Sequence, residues 1–545
     1  MRILTLVLLS LSLLIPAHAD NTFLVASSSE IQNSNEARLI AQRSRTSRRS
    51  SKLRRQYKRY ESKADLVRAI RLAKSKQYEE ASIALYDLSR NPKYRRERAQ
   101  IRYILGLMLF QMNMHQMAGY QFVSVIRDGN NKYVKKALAK LAYSADYLND
   151  RTLLNYSMGK IRLQDFPKSM RSMLRFRIGE FQFQNEEYQK AAHNFSRIPR
   201  SSPYYSKAKY MQGVADAHRN QLGSALKSLK ELERARLTEG PVDTNYVAAK
   251  MGIARIYYQN RSWDKAVEAY RQIPKDSPFW HEALFEMSWA LMRSAKLRSV
   301  LSNFQSLHSP YYETAYIPES LLLRGIVYLY ICQYDEMDKT LNLFKNIYGP
   351  VSNKLKRYLS KRPEATRYYI DYLKLIEAKE AASDSASVRD SLALPFMLYN
   401  FLSNQGDVES TQYYIDQLLK ERARARNMSA RWVKSGIGNA SQRLLERRIN
   451  SARRKIGLQI KRHIILKNRE LDKLIEQHDF ARYEMLNAKK EDIKKNLGTE
   501  KQAKVDDSIN REFYIQNGFE YYPFKGEYWL DELGNYHYLG TKSCE

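Results

Sequence analysis

Nine histidines could serve as ligands or bases: His18, His115, His193, His218, His281, His308, His463, His478 and His537. None stands at ligand spacing from a Cys, Asp or Glu, so no metal centre and no cofactor is expected. There is no Gly-x-Ser-x-Gly elbow and no Gly-x-x-x-x-Gly-Lys phosphate loop. Gly436-Ile437-Gly438 carries no meaning by itself in a helical context. Carboxylates are plentiful, but the sequence does not show two of them converging, and the expectation is a chain that is not an enzyme. The chemistry on offer is electrostatic. Arg38–Arg59 holds ten Lys and Arg and no acid, and Arg443–Arg469 holds ten bases against the single acid Glu446. Arg48 and Arg49 in the first segment, and Arg447, Arg448, Arg453 and Arg454 in the second, are the candidate contacts for an anionic partner. Each segment can equally be a solvated stretch in a very basic chain.

Residues 545 in number, with 92 Lys+Arg against 58 Asp+Glu, give a formal net charge of +34. The apolar fraction of 43% is enough to fold, and 20 Gly with 14 Pro argue against turn-rich sandwiches and propellers. Met1-Arg2, the apolar run Ile3–Ile15 and the small residues Ala17 and Ala19 read as a secretory signal peptide over 1–19. The run is shorter than a membrane-spanning helix needs. An exported, periplasmic or envelope-associated chain is therefore expected, which takes it away from nucleic acid. In an oxidising compartment Cys332 and Cys544 could pair. Cys332 reads as a buried hydrophobe in an apolar helix, so two isolated thiols are the expectation, with a bridge as the alternative. Residues 20–60 read as a basic disordered arm, either an electrostatic tether or a linker.

These charges flank a periodic body. From about 61 to 347 a small residue is followed twelve positions later by a second compact one. The pairs are Ala69/Ala81, Gly106/Ala118, Ala142/Leu154, Gly179/Ala191, Gly213/Ala225, Ala254/Ala266, Ser288/Val300 and Gly325/Met337. Successive starts are 37, 36, 37, 34, 41, 34 and 37 residues apart. Two antiparallel helices approach closely only where both backbones carry small side chains. Tyr78, Tyr188, Trp263 and Tyr334, three residues before the second member, would fill the bend. Bulky residues four after it (Phe122, Phe195 and Leu229 among them) would pack onto the next hairpin. Arg197-Ile198-Pro199 through Tyr204-Tyr205 recurs 75 residues on as Gln272-Ile273-Pro274 through Phe279-Trp280, with Pro ending one helix and presetting the turn into the next. The pattern resembles the tetratricopeptide repeat (TPR), which implies an all-α solenoid of about eight helical hairpins and a groove that takes protein partners.

Beyond the array, 348–420 reads as degenerate repeats or capping helices. Leu445, Ile449, Ala452, Ile456, Ile460, Ile464, Leu471 and Leu474 follow helical spacing, so 421–500 reads as a long basic amphipathic helix or a helical hairpin. The tail 501–545 is rich in aromatics and should dock on the body or on a partner, with Glu527–Leu530 and Tyr536–Leu539 as a short β-hairpin. The phrase Tyr522-Pro523-Phe524-Lys525-Gly526-Glu527-Tyr528-Trp529-Leu530-Asp531-Glu532-Leu533-Gly534-Asn535-Tyr536-His537-Tyr538, with Cys544 beyond it, resembles the terminal signature of exported TPR proteins of gliding and predatory deltaproteobacteria, adventurous gliding motility among them. That resemblance implies an envelope scaffold and brings no catalytic residues. The expected function is a protein-interaction scaffold of the periplasm or envelope. The alternative is a binder of anionic envelope polymer or lipid through 38–59 and 443–469.

Overall fold

A computed structural model describes residues 63–128, 132–150, 167–234, 244–277, 279–312, 315–381, 386–496 and 526–538. The expected signal peptide, the basic arm with Arg48 and Arg49, the segment around Leu154 and Cys544 lie outside the described residues. What is described is all-α, with no strand among the described residues.

The helical hairpins follow one another along the chain. They are α1 (Lys63–Lys74) with α2 (Tyr78–Arg90), and α3 (Arg98–Gln111) with α4 (His115–Arg127); α5 (Val134–Leu148) follows alone among the described residues. Next come α6 (Arg171–Gln184) with α7 (Tyr188–Ser196), α8 (Tyr205–His218) with α9 (Leu222–Arg234), and α10 (Thr244–Gln259) with α11 (Trp263–Arg271). The series closes with α12 (Trp280–Arg293) and α13 (Leu297–Leu307), then α14 (Pro318–Tyr330) and α15 (Tyr334–Ser360). We call the first helix of each hairpin A and the second B.

One backbone feature marks every A-helix end. Lys76, Asn113, Asn149, Glu186, Asn220, Arg261, Ala295 and Cys332 all have φ between 54° and 62°. Each lies seven residues after the small A-helix residue of its repeat. The left-handed residue turns the chain out of helix A, and in each described hairpin B starts two residues later. None is Gly, although a left-handed conformation costs an ordinary L-residue about 1–2 kcal/mol. The arrangement is a TPR-like solenoid.

The small residues make room for side chains rather than for backbone alone. A Cβ on Gly106 would lie 2.6 Å from Phe122 Cε1, and one on Gly179 would lie 2.6 Å from Phe195 Cε1. The bulky B-helix residue thus folds back onto the glycine of its own hairpin, a contact the sequence reading did not include. It lies sixteen positions after that glycine, across the helix crossing, and the missing Cβ is the hole it fills. Leu229 does both: it would meet a Cβ at Gly213 at 2.8 Å and one at Gly252, in the following α10, also at 2.8 Å. The B-helix starts carry the expected aromatics. Tyr188 packs edge-on against Phe183, and Trp263 packs edge-on against Tyr258.

The chain divides into two compact units. Unit 1 contains residues up to Arg177, Gln184–Glu186 and Asn404–Gln459; unit 2 contains Ile178–Phe183, Glu187–Ser403 and residues from Ile460 on. In unit 1, α19 (Gly406–Arg426) lies against α4 and α5, and the short α20 (Ala430–Val433) lies against α2. Trp432 is fully buried there and donates its indole N–H to Ser82 Oγ at 2.9 Å. In unit 2, α16 (Ala365–Glu380), α17 (Ala386–Ser391) and α18 (Leu398–Ser403) follow α15, and Tyr358 of α15 donates to Asp371 of α16 at 2.9 Å.

Residues 436–496 form one helix, α21 (Gly436–Asn496), with no hairpin inside it. The eight apolar positions read from the sequence, Leu445 to Leu474, are all buried. Its entry requires Gly438. A Cβ there would lie 2.3 Å from Trp432 O, so the glycine passed over in the sequence closes the α20–α21 turn. The unit 2 part of α21 runs antiparallel to α15, with ion pairs Arg482–Asp338 at 3.1 Å, Lys489–Asp335 at 2.7 Å and Lys356–Asp472 at 2.8 Å.

Candidate binding face on the A helices

In unit 2 three successive A helices, α8, α10 and α12, bring together a polar cluster that no sequence motif announced. Arg255 of α10 forks onto Glu286 of α12, with Nε donating to Oε2 at 2.9 Å and Nη2 donating to Oε1 at 2.7 Å. Tyr270 Oη donates to the same Glu286 Oε2 at 2.8 Å. A planar guanidinium meeting a carboxylate in this two-bond geometry fixes both groups. Glu282, one turn before Glu286, is half-buried. Its burial, reinforced by the Glu286 charge and opposed by Arg255, pushes its carboxyl up to about 7. Tyr210 of α8 is also held above its usual range, by burial first, with the charges of Arg255, Glu286 and Glu282 acting on it.

A second cluster sits one hairpin earlier. Glu231 accepts from Arg200 at 2.9 Å, from Tyr205 Oη at 2.7 Å and pairs with Lys209 at 3.1 Å. Those bonds, the Arg200 one foremost, lower its carboxyl to about 2. Lys250 is buried between Glu233 and Gln272.

These groups are suited to recognition. Glu282 and Glu286 share one face of one helix, and both oxygens of Glu286 are engaged by Arg255 and Tyr270. Hydrolysis by two carboxylates needs them opposed across a bond, with one free to move a proton. Among the described residues no group of three or more His, Cys, Asp or Glu is placed to hold a metal ion. No helix among them is long and apolar enough to cross a membrane.

The sequence-derived residues fall in two places. Gly106, Ala118, Gly179, Ala191, Gly213, Ala225, Ala254, Ala266 and Gly325 are all buried at A–B crossings. Of the basic candidates on α21, Arg447 and Arg454 are exposed, whereas Arg448 and Arg453 are half-buried. Cys332 departs from expectation. It is not a helical core residue but the left-handed residue of the α14–α15 turn, half-buried and disulfide-bonded. A turn position puts the thiol at the surface of its repeat, where it can reach a second sulfur.

The tail departs from expectation too. Glu527–Tyr538 forms turns, not a β-hairpin. Leu533 is 2% exposed, Gly534 N donates to Ser306 Oγ at 2.7 Å, and Tyr538 N donates to Ser302 Oγ at 2.9 Å. Both serines are on α13, so these backbone N–H groups are spent on the body instead of on a partner strand. At Gly534, with φ 85°, a Cβ would lie 2.8 Å from the Trp280 ring.

In unit 1 the residue that sequence reasoning missed is Glu421. Helix α4 has Met114 as its N-cap, which offers no side-chain hydrogen bond. The fully buried Glu421 of α19 supplies one across about 300 residues of chain, accepting from Gln116 N at 2.8 Å and Met117 N at 3.0 Å. Burial pushes its carboxyl up to about 7 despite those two bonds.

No protein-family model matches the chain, and no curated protein does. Among solved structures, the chain is similar to nearly identical TPR-like repeats of a Podosopora anserina kinesin light chain, at 15% identity over 34% of this chain and 98% of that one, with a TM-score of 0.29. It is also similar to a Rap protein complexed with competence and sporulation factor, at 10% identity over 67% of this chain and 99% of that one, TM-score 0.29. The TPR domain of P58(IPK) is 13% identical over 70% of this chain and 98% of that one, TM-score 0.18. At these scores the likeness carries no argument, and the TPR-like description rests on the hairpin register and glycine contacts of the chain itself.

Proposed function

We propose that this chain is a non-enzymatic scaffold that binds a protein segment along the A-helix face of its hairpins, with Tyr210, Arg255 and Glu282 as contacts. The observation that carries this reading is the cluster on α8, α10 and α12. It concentrates an aromatic hydroxyl, a fixed guanidinium and a half-buried carboxyl on consecutive A helices, the side that stacked hairpins turn into a groove. The scaffold is exported and works in a bacterial periplasm or envelope, in a motility or envelope complex. The apolar stretch 3–15 and the disulfide at Cys332 support export, since disulfides persist in oxidising compartments. The resemblance of the tail phrase to exported gliding-motility TPR proteins supports the setting. The exposed basic face of α21 is a second contact surface, for an anionic partner. A photo-crosslinker at position 210 tests the first contact. It should give a discrete protein adduct that persists in high salt, while the same probe at the exposed B-helix position 227 gives none. Equal labelling from both positions would overturn the reading.

A further inference from the structure

The docked tail presents an acidic, apolar turn outward. Glu527, Asp531 and Glu532 lie within Gly526–Tyr538, which contains no Lys or Arg, in a chain of net charge +34. Trp529 is 58% exposed and Leu530 65% exposed. Neither is loose. Trp529 N donates to Tyr536 Oη at 3.1 Å, and Gln305 Nε2 donates to Tyr528 Oη at 3.1 Å. With Leu533 and Gly534 locked against α12 and α13, the turn holds an indole and an isobutyl group in solvent at little ordering cost on binding. An exposed Trp on a held backbone is a favoured anchor of protein interfaces.

The same molecule carries the complementary surface. On the unit 1 part of α21, Arg443, Arg447, Arg454 and Leu458 fall on one helical face and are all exposed, with Lys455 beside them. Leu458 is 50% exposed. An apolar side chain among guanidinium groups is what an acidic Trp–Leu turn fits, the rings meeting Leu458 and the Arg side-chain stems, and the carboxylates meeting the charges.

We propose that the acidic tryptophan turn of one molecule docks on the basic face of α21 in a second copy. The inference rests on the reading of that face as a contact surface, and it names the anionic partner as the chain itself. Two different patches meet, so the contact is head-to-tail and can repeat into rings or open chains.

Sedimentation velocity of the full chain tests this across protein concentration and salt. The expected result is concentration-dependent association at low salt that weakens as salt rises. Asp531→Lys with Glu532→Lys should weaken it by about tenfold or more, as should Arg447→Glu with Arg454→Glu, and all four changes in one chain should restore it. Trp529→Ala with Leu530→Ala should also abolish it, with no change in helical content. A chain that stays monomeric throughout, or association indifferent to either swap, overturns the proposal. Flotation with phosphatidylglycerol vesicles separates the two readings. Binding lost in Arg447→Glu/Arg454→Glu by a chain that does not self-associate leaves the basic face as a contact surface and sinks the second copy. No vesicle binding and no self-association sinks both.

Discussion

Alanine at position 106 should loosen the second hairpin, whereas alanine at position 325 should tighten the last. The new Cβ at 106 would stand 2.6 Å from Phe122 Cε1 and 2.9 Å from Cδ1. Carbon atoms pack best at about 3.5–4.0 Å, so the ring must retreat by about 1 Å. Phe122 is fully buried, and overpacking of this kind costs about 1–3 kcal/mol. Replacing Gly by Ala inside a helix returns about 1 kcal/mol, which leaves Gly106→Ala less stable by about 1 kcal/mol. At Gly325 the nearest atom, Leu341 Cδ2, is 3.6 Å away, an ordinary contact. Gly325→Ala should therefore keep most of the propensity gain, and the two variants should differ by about 2 kcal/mol. A long repeat array need not unfold in one step, so native-state hydrogen exchange at the amides of each hairpin is the assay. Protection should fall in α3 and α4 for the first variant and rise in α14 and α15 for the second. Adding Phe122→Leu to Gly106→Ala should recover part of the loss, a coupling that independent sites would not show. Equal shifts from the two alanines, or increased protection in Gly106→Ala, would refute the reasoning.

Three further outcomes follow from single residues. Ala295 holds a left-handed backbone with φ 58°, so Ala295→Gly should stabilise its hairpin by about 0.5–1 kcal/mol, while Asn149→Gly should change little because Asn tolerates this region. Glu421 titrates at about 7 in the fold against an ordinary 4.5, so it binds a proton more tightly folded than unfolded. Its contribution is complete below about pH 4.5 and is lost as pH rises through 7, up to about 3 kcal/mol, so thermal midpoints should fall across that window and fall less in Glu421→Gln. Cys332→Ser should lower the thermal midpoint to that of the reduced wild type, corresponding to about 2–4 kcal/mol, and added reductant should then have no effect on the variant.

The array was legible because its determinants are local. A small residue and a compact residue twelve positions later are set by helix geometry within one hairpin, and they recur along the chain. The apolar stripe from Leu445 to Leu474 was legible for the same reason. The long-range cap and the Trp432 contact were not. Glu421 reaches α4, and Trp432 reaches Ser82, across hundreds of residues, and nothing in the local sequence singles out these two positions. The Arg255–Glu286–Glu282 cluster depends on which A helices stack, which spacing alone leaves open. Aromatic alternation at Tyr536-His537-Tyr538 suggested a strand, but the backbone N–H groups of Gly534 and Tyr538 found serine hydroxyls on α13 instead. Cys332 was misplaced because its apolar neighbours hid the turn, which only the common register of eight left-handed residues reveals.

Hydrogen exchange of the chain alone and within its native complex tests the scaffold reading most directly. The account predicts added protection on α8, α10 and α12 around Tyr210, Arg255 and Glu282. Added protection confined to the outward faces of α7, α9 and α11, with these A helices unchanged, would contradict it.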